Sequence, residues 1–281
     1  MRGAIHFLRG EMKMKKIFIP LVVVIIIAYI AILVISGKKE DDSFVIKTTE
    51  ATENTTQAEG GLDKATNTDA SKNAKTDTST AGIVINGFEV PEFSEDEYIE
   101  INDDVPFFEK SELTTKPFEE YSELDSLGRC GAATACVCID TMPTEARGEI
   151  GSIKPTGWHA VSYEDVIEGG YLFNRCHLIG YALTGENANN KNLITATSFM
   201  NAGSILGFED MVERYISNTG NHVMYRVTPW YKNDNLVATG VQIEAMSVED
   251  EGMGICYNVF LYNVQPGIVI NYINGESWIE K

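Results

Sequence analysis

Residues 17–37 carry no charged side chain and are almost wholly apolar, from Ile17 through Ile27 to Ile35, and this run constrains the chain more than any other feature. Twenty-one helical residues rise about 30 Å, enough to cross the hydrocarbon core of a bilayer. Arg2, Arg9, Lys13, Lys15 and Lys16 precede the run against one acid, Glu11. That bias predicts a cytoplasmic segment at 1–16, a transmembrane signal-anchor at 17–37 and an exported remainder. Signal-peptide cores usually span about 7–15 residues and end at a small-residue cleavage site, which Ser36-Gly37 matches poorly. Cleavage and secretion stand as the alternative. On either reading the bulk of the chain works outside the cytoplasm.

Residues 38–81 are rich in Thr, Asn, Ala, Asp, Lys and Glu, with scarcely a large apolar side chain after Ile46. Such a stretch buries too little surface to offset its ordering entropy, and it reads as a disordered linker. From Ile83 onward apolar residues, aromatics and turn residues become dense, which predicts one domain over 82–281. Short strands are expected at Gly82–Val90 and Tyr98–Ile101, and a buried strand at Ala132–Ile139. Phe208, Met211, Val212, Tyr215 and Ile216 fall at helical spacing, ending near Asn218-Thr219-Gly220. Val223, Tyr225 and Val227 then alternate, as do Val237 through Ala245 beyond a polar turn at 233–235. That pattern predicts an antiparallel hairpin. Ile255 to Leu261 alternate again, and Ile268, Ile270 and Tyr272 add a last strand. The class is α+β, a largely antiparallel sheet with flanking helices.

The formal net charge of −19 argues against a tight, electrostatically steered nucleic-acid binder. Much of the acid lies in 89–125, where only Lys110 and Lys116 oppose it. Five cysteines, Cys130, Cys136, Cys138, Cys176 and Cys256, form no regular framework and complete no zinc knuckle. They read as small buried thiols. Four histidines without an H-E-x-x-H pattern disfavour a zinc hydrolase.

The segment with the most chemistry runs from Tyr171 to Asn201. Arg175 and His177 end an apolar run; Asn192 and Asn201 follow, the latter just before the amphipathic helix. Phosphodiester hydrolysis needs an acceptor for a water proton, which imidazole suits. It also needs a divalent cation, and magnesium often keeps only one or two protein oxygens. An arginine can add bidentate contact with phosphate. His177, Asn201 and Arg175 have the chemistry for these three roles. Each also has a plainer reading: a structural hydrogen bond for His177, a helix N-cap for Asn201, an ion pair for Arg175. Arg129 and Arg226 are further candidate phosphate contacts. Glu209 either favours a helix N-terminus or stands behind a metal. His159 and His222 read as surface or packing residues.

Asn174-Arg175-Cys176-His177-Leu178-Ile179-Gly180-Tyr181-Ala182-Leu183 resembles the motif D-R-G-H-L-L-G-Y-A-L of the DNA/RNA non-specific endonucleases. These enzymes carry a ββα-metal finger, and the likeness is greatest to those of competent bacteria that take up DNA. Lys191-Asn192 and Met200-Asn201 match later elements of that family, and the similarity covers most of 82–281. The resemblance implies a ββα-metal nuclease with His177 as general base, Asn192 positioning the loop or the base, and Asn201 as the direct metal ligand. It implies that Glu209 holds metal-bound water, with Mg2+ or Mn2+ as cofactor and DNA or RNA as substrate. The chain departs from the motif at Asn174, where the family has aspartate, and at Cys176, where it has glycine. A non-catalytic surface protein that binds a partner with this fold is the alternative function.

Overall fold

Alternating apolar residues of the C-terminal half build the centre of the protein. The structure is a computed structural model describing residues 75–281; the expected cytoplasmic segment and membrane anchor lie outside the described residues. The strands in chain order are β1 (Val84–Ile85), β2 (Phe88–Glu89), β3 (Tyr98–Glu100), β4 (Phe118–Tyr121), β5 (Ala133–Val137) and β6 (Phe173–His177). They continue with β7 (Leu193–Thr197), β8 (Val223–Trp230), β9 (Gly240–Ser247), β10 (Cys256–Tyr262), β11 (Ile268–Ile270) and β12 (Ser277–Ile279). The helices are α1 (Tyr181–Thr184) and α2 (Ile205–Thr219).

A six-stranded sheet has the order β3-β10-β9-β8-β5-β4, and every pairing in it is antiparallel. One face presents Ala133, Val137, Val223, Tyr225, Val227, Ile243 and Val259 to α2. The helix answers with Ile205, Phe208, Val212 and Ile216, all at the predicted spacing. Gly220 ends it in the left-handed region at φ 72, with its N–H on the Ile216 carbonyl, a conformation that glycine adopts without a Cβ penalty. Truncating Val212 would leave a void at the centre of this layer, at about 1–3 kcal/mol.

The strands β6 and β7 form a separate antiparallel pair, with His177 opposite Leu193 and Arg175 opposite Thr195. α1 lies between them, and one π-helical turn at Met200–Ser204 leads from β7 into α2. β6, β7 and α2 make the expected ββα unit, packed on the main sheet through Cys176, Leu178 and Ile194.

Three expectations shift. The packed region starts upstream of residue 82, because Asp77 clasps the domain. Its carboxylate meets Lys232 Nζ and Asn235 Nδ2, its N–H reaches Asn271 Oδ1, and its carbonyl accepts from the Tyr272 N–H. The second strand of the central hairpin begins at Gly240 rather than Val237. Leu236 and Val237 donate instead to the Ile273 and Tyr272 carbonyls, leaving the sheet. The last strand gains a partner, β12, that alternation over three residues is too short to announce. All five cysteines are free thiols, and every one but Cys256 is buried, as their small apolar character suggests. Cys176 sits in the paired β6 strand facing the core, so glycine's freedom is not required there. Among the described residues no helix is long and apolar enough to cross a membrane.

Candidate active site

The ββα unit frames a cavity of about 710 Å³ whose walls include Arg147, Asn174, Arg175, His177, Asn201 and Glu209. Four of the predicted residues, Arg175, His177, Asn201 and Glu209, are thus brought together from β6, the π-turn and the helix.

His177 is buried at the end of β6. Its Nε2 lies 2.7 Å from the Asn187 carbonyl. A carbonyl can only accept, so Nε2 carries the proton and Nδ1 keeps its lone pair. Arg147 Nη2 stands 3.2 Å from Nδ1 as a donor. Burial first, and the Arg147 charge second, push the imidazole below its ordinary range, while the Asn187 carbonyl pulls the other way. The ring is therefore a neutral base at pH 7.

Glu209 lies on the buried face of α2 and is 8% exposed. Its Oε1 has no hydrogen-bond partner among the described residues. Burial raises its carboxyl to about 8, against the pull of the Gly180 backbone N–H. Gly180 makes the position possible, since a Cβ there would stand 2.4 Å from Glu209 Oε2. A buried carboxylate oxygen without a partner calls for a cation or its water. Asn201 is half-buried in the same wall, with an amide oxygen to offer. No group of three or more His, Cys, Asp or Glu that could hold a metal exists among the described residues. Sparse oxygen donors of this kind suit a hard, hydrated divalent cation better than a closed zinc cage.

The remaining candidates divide. Asn192 is fully buried outside the cavity wall and clasps one backbone unit. Its Oδ1 accepts from Ile179 N at 2.9 Å, and its Nδ2 donates to Ile179 O at 3.0 Å. It fixes the chain just beyond His177 and touches no reacting group. Arg175 faces the cavity, but it donates to the Ile153 and Gly151 carbonyls and stacks 4.1 Å over Trp158. Those bonds hold the 151–158 segment against β6. Arg129 and Arg226 are not brought to the cavity. Arg129 pairs with Asp125 and donates to the Asn233 and Asn235 carbonyls. Arg226 meets Glu244 at 2.7 and 3.0 Å and Glu112 at 3.0 Å, over the ring of Phe108. Both guanidiniums are held in ion pairs within their own fold. His159 and His222 bond to the Asn274 carbonyl and Glu249, away from the cavity.

Two participants escaped the sequence reading. Arg147 sits in a turn-rich stretch without periodicity, thirty residues before His177 by their numbers (177 − 147), so no spacing linked them. Asn187 acts through a backbone carbonyl, which has no residue signature. At Asn174 the amide Nδ2 donates to Ser198 Oγ at 2.7 Å, and that hydroxyl donates to the Tyr171 carbonyl at 2.6 Å.

Comparison with known proteins agrees with this geometry. The family model for DNA/RNA non-specific endonuclease matches residues 110–249, a span that holds the cavity residues named above. Among solved structures, NucA from Streptococcus agalactiae with no metal bound is 25% identical at a TM-score of 0.57, over 64% of this chain and 86% of that one. The same protein with magnesium ion bound gives 24% identity and the same TM-score and coverage, a likeness of fold. No curated protein sequence matches the chain. Through residues 110–249 the chain belongs to the DNA/RNA non-specific endonuclease family, and it is a nuclease of that class.

Proposed function

We propose that the chain hydrolyses phosphodiester bonds of DNA, RNA or both outside the cytoplasm, with His177 as general base and a divalent cation held by Asn201 and, through water, by Glu209. The observation that carries this reading is the convergence of three groups on one cavity: a neutral, tautomer-fixed imidazole, an unpartnered carboxylate oxygen and a free amide. His177 Nδ1 takes the proton of the attacking water. The Asn187 carbonyl, bonded to Nε2–H, steadies the imidazolium that forms. Arg147 is the cation beside the base, and its guanidinium fits a phosphate oxygen once substrate separates it from Nδ1. Glu209, too buried to hold a bare charge, keeps the cation's water in place. A divalent cation bound there supplies charge neutralisation at the phosphate and at the departing oxygen. Magnesium, or manganese in its place, suits the oxygen donors; the solved NucA structure with magnesium ion bound supports the choice. The uncharged run at 17–37 behind its basic flank supports export with retention in the membrane.

The full-length chain in detergent should nick and then degrade plasmid with magnesium or manganese, and chelator should stop it. His177→Ala should lower the chemical step by about 10²–10⁴-fold at any magnesium concentration. Asn201→Ala should lose activity through weakened cation affinity, so that high magnesium restores part of its rate and none to His177→Ala. Near-normal cleavage by His177→Ala would overturn the base. Intact plasmid across a metal series would favour a non-catalytic binding protein.

A further inference from the structure

We propose that Tyr171 is a platform on which a nucleobase beside the scissile phosphate stacks, so that the site selects unstacked, single-stranded DNA or RNA over a duplex. The proposal rests on the nuclease reading above. Tyr171 is 55% exposed and belongs to the wall of the cavity that holds His177. A tyrosine ring offers a broad face for stacking, and this one stands open in the wall of the cavity. Two other rings serve as the contrast. Trp158, in the same wall, is already covered by the Arg175 guanidinium. Tyr98 is also exposed, yet it packs edge-on against Phe208 with centroids 5.1 Å apart. Among the described residues Tyr171 has no such ring partner.

Its backbone, by contrast, is held firmly. Ser162 bridges to Tyr171 across an antiparallel contact, Leu172 N donates to Val161 O, and Ser198 Oγ donates to the Tyr171 carbonyl. Ser198 can give its one proton to Tyr171 because it receives another from Asn174 Nδ2. A carboxylate at 174 has no proton to give and would draw the Ser198 hydroxyl to itself. The amide at this position thus lets one hydroxyl serve both neighbours, and it ties Tyr171 to the strand that carries His177.

Electrostatics give the platform its importance. The chain carries −19 formally, Arg129 and Arg226 are locked into ion pairs, and Arg147 and Arg175 are the arginines of the cavity wall, so long-range attraction of phosphate is weak. Stacking adds affinity that charge supplies sparingly. A base stacked on an aromatic ring contributes about 1–3 kcal/mol whatever its identity. A duplex offers that face only after unstacking, at a cost of a few kcal/mol.

The test is steady-state kinetics of the full-length chain in detergent with magnesium, on one oligonucleotide sequence in three forms: single-stranded, duplex, and single-stranded with abasic sugars. The wild type should show its lowest KM on the intact single strand. Tyr171→Ala should raise that KM about 5- to 150-fold, the equivalent of one lost stack, with kcat little changed. On the abasic strand, wild type and Tyr171→Ala should coincide. Tyr171→Phe should recover the low KM, because it keeps the ring. Equal wild-type KM on all three substrates overturns the platform even if Tyr171→Ala fails to fold, as does an equal loss for Tyr171→Ala with and without bases. No cleavage of any substrate by the wild type would instead refute the nuclease reading beneath it.

Discussion

Glu244 and Glu209 are both buried glutamates, 2% and 8% exposed, on elements that pack against one another through the same sheet. Their surroundings differ. Glu244 on β9 lies opposite Arg226 on β8, takes both arms of that guanidinium, and accepts the Phe107 N–H. Every part of its charge is answered within the fold. Glu209 has one oxygen unanswered, and burial keeps its proton on until about pH 8. A desolvated carboxylate is expensive, so the chain tolerates it only where something arrives to meet it. The pair sets a charge answered within the fold against one left open: Glu244 takes the Phe107 N–H and Arg226, and Glu209 lies in the cavity wall.

The largest effect should break this contrast from the structural side. Glu244→Leu removes the acceptor of three hydrogen bonds, leaves Glu112 alone to answer the Arg226 charge, and should destabilise the protein by about 3–5 kcal/mol. Its kcat per folded molecule should stay at the wild-type value; denaturant titration with kinetics below the transition decides it. Next comes pH. The folded pKa of Glu209 is raised, so its stabilising contribution is complete below the unfolded carboxylate range and fades as pH climbs toward about 8. In chelator the wild-type melting temperature should fall between about pH 5 and pH 8, by the equivalent of a few kcal/mol. Glu209→Gln should flatten that slope, and an unchanged slope would remove the idea that Glu209 is held protonated. Third, Glu209→Gln should cost about 10–100-fold in activity at saturating substrate, with magnesium affinity weakened. The smallest effect concerns Arg147, which helps hold His177 below its usual range. Arg147→Ala should move the acid limb of the pH–rate profile upward. A limb that moves downward would reverse the assigned sign.

These contrasts also show what the sequence could disclose. The span from Asn174 to Asn201 was legible because strand, loop and helix entry are consecutive, so one linear motif brings His177 and Asn201 to the same cavity. Glu209 was visible as an acid on the apolar face of a periodic helix. Arg147 was not, since a turn-rich segment has no period to place it. The partners of Arg129 and Arg226 were hidden for a related reason. An arginine's partner is chosen by register, as Glu244 is for Arg226, and no local pattern reveals the register. A polar strap such as 75–81 looks like linker in the sequence, because nothing local shows that Asp77 meets residues 232, 235, 271 and 272.

That clasp has a mechanical consequence. Any pull entering the domain through residue 75 falls first on the bonds of Asp77, then on the β1–β2 hairpin, and then on β3, an edge strand paired only with β10. These contacts peel in turn, and each can re-form when the load relaxes. The cavity residues sit between 147 and 209, deeper along the chain than all of them. Drag on the domain would thus be absorbed at the front edge before the geometry around His177 is disturbed.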